Sequence, residues 1–113
     1  MHSRIKSFCI IVMIMFVKVA NVNEIKPGQG KTVSANGVDI AIFNVDGTFY
    51  AIKNTCPHKG GPLGEGMLEG NVVACPWHGW RFDVATGISP VMQSVTVAKF
   101  EVKVEGDDVL VNL

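Results

Sequence analysis

Asn36-Gly37-Val38-Asp39-Ile40-Ala41-Ile42-Phe43-Asn44-Val45-Asp46-Gly47, read on through Thr48 to Lys53, is the stretch NGVDIAIFNVDGTFYAIK. Two tight-turn dipeptides bracket a largely apolar run. Asn-Gly and Asp-Gly readily supply the positive φ angles of a two-residue hairpin turn, so each predicts a reversal with a strand on either side. Val38 to Val45 is therefore expected as one strand and Thr48 to Lys53 as the next. The same signals recur outward from this centre. Glu69-Gly70-Asn71 should turn Gly66-Met67-Leu68 back into Val72-Val73-Ala74. Phe100, Val102 and Val104 alternate with Lys99, Glu101 and Lys103, the period of a half-buried strand. Gly106-Asp107-Asp108 turns that strand into Val109 to Leu113. From Met15 onward no long stretch has a helical period, so the fold class is all-β, a small antiparallel domain.

Composition sets the scale. The chain has 113 residues, 48% of them hydrophobic, enough for one modest core and too few for a second domain. Ten basic residues balance ten acidic ones. Setting aside Arg4 and Lys6 leaves eight against ten, a charge of about −2. There is no basic stripe, and no nucleic-acid partner is expected. No catalytic triad, phosphate-binding loop, two-His-one-carboxylate set or dinucleotide motif is present, which argues against an enzyme acting alone.

Two short segments carry the chemistry. Cys56-Pro57-His58 and Cys75-Pro76-Trp77-His78 each offer one thiolate and one imidazole, with sixteen residues between His58 and Cys75. A set of two sulfur and two nitrogen donors suits either zinc or a diiron cluster. Zinc fingers usually group like ligands, a Cys pair on one arm and a His pair on the other. Here each arm carries one of each. Two loops facing each other across a [2Fe-2S] rhomb can each send sulfur to one iron and nitrogen to the other. With two of the three cysteines committed this way, no structural disulfide is available within the domain, which favours a reducing, cytoplasmic setting.

The run from Cys56 to Pro90, CPHKGGPLGEGMLEGNVVACPWHGWRFDVATGISP, resembles the cluster-binding region of soluble Rieske-type ferredoxins and of the Rieske domains of ring-hydroxylating oxygenases. That resemblance implies one [2Fe-2S] cluster, with Cys56 and Cys75 on the inner iron and His58 and His78 on the outer one. It also implies cluster-binding loops at the tip of a small β subdomain, and a first strand at Phe16-Val17-Lys18-Val19-Ala20. Gly87-Ile88-Ser89-Pro90 corresponds to a third, proline-bearing loop over the cluster. Pro62, Leu63, Trp80 and Pro90 are expected as an apolar collar around the imidazoles. Respiratory members of the family carry a second Cys in each loop, and a Ser and a Tyr that donate to cluster sulfurs. This chain has Trp77, Trp80 and Phe82 at three of those positions and no extra Cys in Lys59-Gly60-Gly61. Without hydroxyl donors the reduced cluster is less stabilised, and the midpoint potential is expected at the low end of the Rieske range, about −150 mV. Reduction should also raise the pKa of the imidazoles, making the potential pH-dependent at alkaline pH.

The resemblance further implies a one-electron carrier between a flavin-dependent reductase and a terminal oxygenase, monomeric when free. The alternative is the small subunit of an assimilatory nitrite reductase, whose members often lack the cluster ligands. A zinc-stabilised binding module is a third reading. Glu65, Glu69, Asp83, Asp107 and Asp108 are candidate partner-facing acids, although scattered surface acids are the plainer explanation.

Residues 15–113 form the expected domain. Residues 1–14 stand apart, with His2, Arg4 and Lys6 ahead of the apolar run Phe8 to Val17. That run is too short to span a bilayer, and cleavage after Ala20 would remove the first strand. Met15 or Met13 is the expected true start. The alternatives are a disordered or membrane-touching extension and a short apolar leader, and neither Cys9 nor His2 is expected to act.

Overall fold

The structure is a computed structural model that describes residues 15–113. The expectations for residues 1–14 fall outside it. Ten strands run through the described residues: β1 (Phe16–Asn21), β2 (Gly30–Ala35), β3 (Val38–Val45), β4 (Thr48–Lys53), β5 (Met67–Glu69), β6 (Val72–Ala74), β7 (Arg81–Asp83), β8 (Lys99–Phe100), β9 (Val102–Glu105) and β10 (Asp108–Asn112). They form three antiparallel sheets in the orders β1-β10-β9, β2-β3-β4-β8 and β5-β6-β7. The described helical content is two short 3-10 turns, Val22–Glu24 and Leu63–Glu65.

The opening stretch folds as its turns dictate. Asn36 and Gly37 take φ of 52° and 78°, and Asp46 and Gly47 take 51° and 93°, the paired positive values of a type I′ turn. Asn44 fixes the second turn, its Oδ1 accepting the Gly47 N–H at 2.7 Å while its Nδ2 donates to the Ile25 carbonyl at 2.8 Å. Strand β3 is buried on both faces, which is why its sequence runs apolar without alternating. Ile40 and Ile42 pack with Ala20, Ile25, Val109 and Val111 on one side. Ala41 and Phe43 pack with Leu63, Val73, Phe82 and both Cys56 and Cys75 on the other. The central strand thus joins the base of the domain to the layer beneath the Cys-His loops.

The alternating segment near the C-terminus departs from expectation. Lys99 to Val104 is two strands in different sheets: β8 pairs with β4, and β9 pairs with β10. Glu101 lies at the crossing, its carbonyl accepting the Asn112 N–H at 2.9 Å. Each half satisfies its backbone against a different neighbour, so the alternation does not mark one buried face. Val104 is accordingly exposed.

Candidate metal centre

Each Cys-His segment is a six-residue loop closed in the same way. In the first, the Cys56 N–H donates to the Gly61 carbonyl at 2.9 Å, and the Gly60 N–H donates to the Cys56 carbonyl at 2.8 Å. In the second, the Cys75 N–H donates to Trp80 at 2.7 Å, and the Gly79 N–H donates to Cys75 at 2.9 Å. Gly60 and Gly79 hold φ of 80° and 74°, a left-handed conformation that glycine adopts at little cost. The loops are therefore equivalent in backbone although their imidazoles differ by one position. The hairpin β5–β6 fills the interval between them, as the spacing predicts.

These loops bring the four expected donors to one region. Cys56 and Cys75 are buried, with neither in a disulfide, and His58 and His78 are exposed. The two imidazole centroids lie 4.9 Å apart at 76°. Among the described residues, no three His, Cys, Asp or Glu side chains form a group able to hold a single metal ion. Two buried thiols plus two surface imidazoles is a divided donor set, better matched to a bridged binuclear cluster than to one tetrahedral zinc.

Side chains cross between the loops. Trp80 of the second loop lies flat on His58 of the first, centroids 4.3 Å apart and planes within 1°. The corresponding residue of the first loop is Gly61, and it faces Trp77 of the second. A Cβ built on Gly61 would lie 2.6 Å from Cys75 Sγ and 3.1 Å from Trp77 Cγ, so this buried position has room only for hydrogen. Trp80 thus serves as the expected collar on one imidazole. Leu63 does not: it is 0% exposed and belongs to the core beneath the thiols. Pro90 is exposed and lines a groove on the β5-β6-β7 sheet with Met67, Val72, Ala74 and Arg81. Its loop is organised by buried Ser89, whose Oγ accepts from Val91 and Met92 N–H at 3.3 and 3.1 Å. Of the candidate partner-facing acids, Asp83 builds a turn by accepting from Ala85 and Thr86, and Asp108 pairs with Lys18 at 3.0 Å.

The electrostatics of the two donor types differ: His58 is held in its ligating form, whereas Cys56 is held as the thiol and would have to give up its proton to a metal. Burial pushes the Cys56 thiol above its ordinary 9.0, the His58 and Lys59 amides pull it back, and the adjacent Cys75 pushes it further up. Desolvation, with the charges of His78 and Lys59, holds His58 below its ordinary 6.5, in the neutral form that ligates metals. Both shifts make the iron-free chain pH-sensitive. The depressed His58 contributes stability above about pH 6.5 that is lost as pH falls through its folded-state value; the raised Cys56 contributes stability that is lost as pH rises above 9.0. Melting of the iron-free protein should show its highest Tm between those limits, and a Tm still rising above pH 10 would contradict the assignment.

A model of the Rieske [2Fe-2S] domain matches residues 15–101. The chain belongs to the Rieske [2Fe-2S] family. Within that family it is 40% identical over 101 residues to the biphenyl dioxygenase ferredoxin subunit of a Pseudomonas species, covering 86% of this chain and 91% of that one. A chain from the complex of reduced oxygenase and oxidised ferredoxin in carbazole 1,9a-dioxygenase superposes with a TM-score of 0.77 at 36% identity, covering 86% of this chain and 92% of the other. A putative NADH-dependent nitrite reductase small subunit from Mycobacterium tuberculosis gives a TM-score of 0.83 at 21% identity, over 89% of this chain and 96% of that one, which shows a shared fold. This Rieske protein is an electron-transfer component with one [2Fe-2S] cluster. No helix of the described residues is long and apolar enough to cross a membrane. Trp80 and Phe82 give the Rieske site no hydroxyl donor, so a redox titration should return a midpoint of about −150 mV. A clearly positive value would contradict this.

Proposed function

We propose that Cys56 and Cys75 ligate one iron as thiolates, that His58 and His78 ligate the other, and that the chain carries single electrons from a flavin-dependent reductase to a terminal oxygenase. The observation behind this reading is the pair of exposed imidazoles on loops whose thiols are buried. Bound there, the cluster supplies a one-electron couple. The protein supplies the setting. Amides of His58 and Lys59 directed at Cys56 Sγ offset part of the charge on sulfur. Trp80 shields one face of His58 from water and fixes the ring's orientation. The ring edges of His58 and His78 remain available to a partner at the surface, and electrons enter and leave through them. Trp77, 57% exposed beside the second loop, offers an aromatic anchor for a small, transient contact.

Likeness to ferredoxin components of dioxygenase systems supports the partner classes. With Cys56 and Cys75 committed to the cluster, no cysteine pair remains for a disulfide among the described residues, which favours a reducing compartment; the carrier is expected to work in the cytoplasm, as a monomer. The test is a reconstituted assay containing a flavin-dependent reductase and a ring-hydroxylating oxygenase. Product formation should depend on this protein and vanish for Cys75→Ser. Co-purification with a large sirohaem subunit, and no support of oxygenase turnover, would overturn the proposal.

A further inference from the structure

The equivalent loops are anchored differently. Below the second, Ala74 pairs with Arg81 and Val73 with Phe82, so the β6–β7 ladder holds its foot. Below the first, Thr55 and Pro62 form the same pair as an isolated bridge. There the ladder fails. Pro62 has no N–H to give, and the chain turns at once into the 3-10 segment Leu63–Glu65. Leu63 still donates to the Asn54 carbonyl at 2.7 Å, but its own carbonyl accepts from Gly66 at 3.0 Å, and the Asn54 N–H goes to Asp39 at 3.0 Å. The Asn54 side chain makes the remaining connection. Buried at 6% exposure, its Oδ1 accepts the Gly64 N–H at 2.8 Å and the Thr32 hydroxyl at 3.0 Å. Gly64 lies so close to β2 that a Cβ there would collide with Thr32 Oγ1 and come within 2.9 Å of its backbone nitrogen.

We propose that Asn54 is the positioning residue of the first ligand loop: its side chain fixes the foot of that loop to β2, as a β-ladder fixes the second. The residue stands two places before Cys56, and Gly64 lies just past the loop's end. One carboxamide therefore ties down both ends of the segment that carries Cys56 and His58. Without it, Gly64 N–H and Thr32 Oγ lose a shared buried acceptor, and the first loop can shift relative to the second. This rests on the assignment of the four ligands.

Asn54→Ala tests it, read by the electron paramagnetic resonance spectrum of the reduced protein, by midpoint potential and by the rate of iron loss to a chelator. The variant should show altered g-anisotropy, a displaced potential and iron loss roughly ten- to a hundredfold faster. Val109→Ala, a cavity in the core away from the thiols, should lower Tm and leave spectrum and potential unchanged. An Asn54→Ala protein that loses stability but keeps the original spectrum and potential, as that control does, overturns the proposal. If Asn54→Ala retains no cluster, Thr32→Val decides, because it removes one of the two bonds: a shifted spectrum supports the proposal, an unshifted one overturns it. Absence of a Rieske spectrum in the unsubstituted protein would instead overturn the ligand assignment.

Discussion

Gly61→Ala is expected to yield a folded protein that has lost most of its iron, with cluster retention weakened about tenfold or more. One methyl group is enough because of where it would lie, 2.6 Å from Cys75 Sγ and within 3.2 Å of the Trp77 ring. Neither neighbour yields easily. Cys75 is held by backbone bonds to Trp80 and Gly79, and its sulfur is the group that the proposed cluster would meet. Gly60→Ala is the matched comparison. Its φ of 80° strains an alanine by about 1 kcal/mol, yet the nearest atom to the new Cβ is Thr55 Cγ2 at 3.9 Å. It should lose some stability and keep its iron. Iron analysis and visible absorption of the two variants measure the difference, and equal iron contents would show that the Gly61 contact does not matter.

The second large effect concerns charge. On the proposed ligand set, replacing both imidazoles, His58→Cys with His78→Cys, gives four thiolates in place of two and adds two negative charges to the oxidised cluster. The midpoint should then fall from about −150 mV toward the plant-type value of about −400 mV. For a one-electron couple that fall is about four powers of ten in equilibrium constant, so the variant should be a poor acceptor from its reductase. Both positions are exposed and their loops are closed through cysteine backbone, leaving the outer segments freer to accommodate a shorter side chain. A titration of the double variant and of each single one reads the shift. An unchanged potential would mean that the imidazoles are not ligands.

Much of this was legible in the chain because the informative residues act locally. Asn36-Gly37 and Asp46-Gly47 adopt positive φ for reasons internal to four residues, and the apolar run between them needs two buried faces wherever it folds. The meeting of the two Cys-His segments is likewise legible, since each lies in a short loop and the interval between them is just long enough for a hairpin. What escaped depends on residues far apart in sequence. Leu63, next to Pro62 just past the first loop, looks like part of a surface collar until β3 and β6 close over it. Glu101 interrupts no pattern, yet the chain changes sheets there because β4 and β10 supply separate partners. Asn54 is one polar residue among many, and its importance appears only when Thr32 and Gly64 arrive at its Oδ1.

The two imidazoles share one tip, 4.9 Å apart, with Trp80 over one of them. If electrons pass through these rings as proposed, donor and acceptor proteins occupy the same small area and cannot be bound together. Traffic through the carrier is sequential, and each cycle includes two departures. With association near 10⁷ M⁻¹s⁻¹ and an oxygenase turning over at about 10 s⁻¹, neither complex can be much tighter than about 1 μM without its lifetime limiting the pathway. Selection on this surface therefore sets a ceiling on affinity, and excess of either partner becomes an inhibitor of the other.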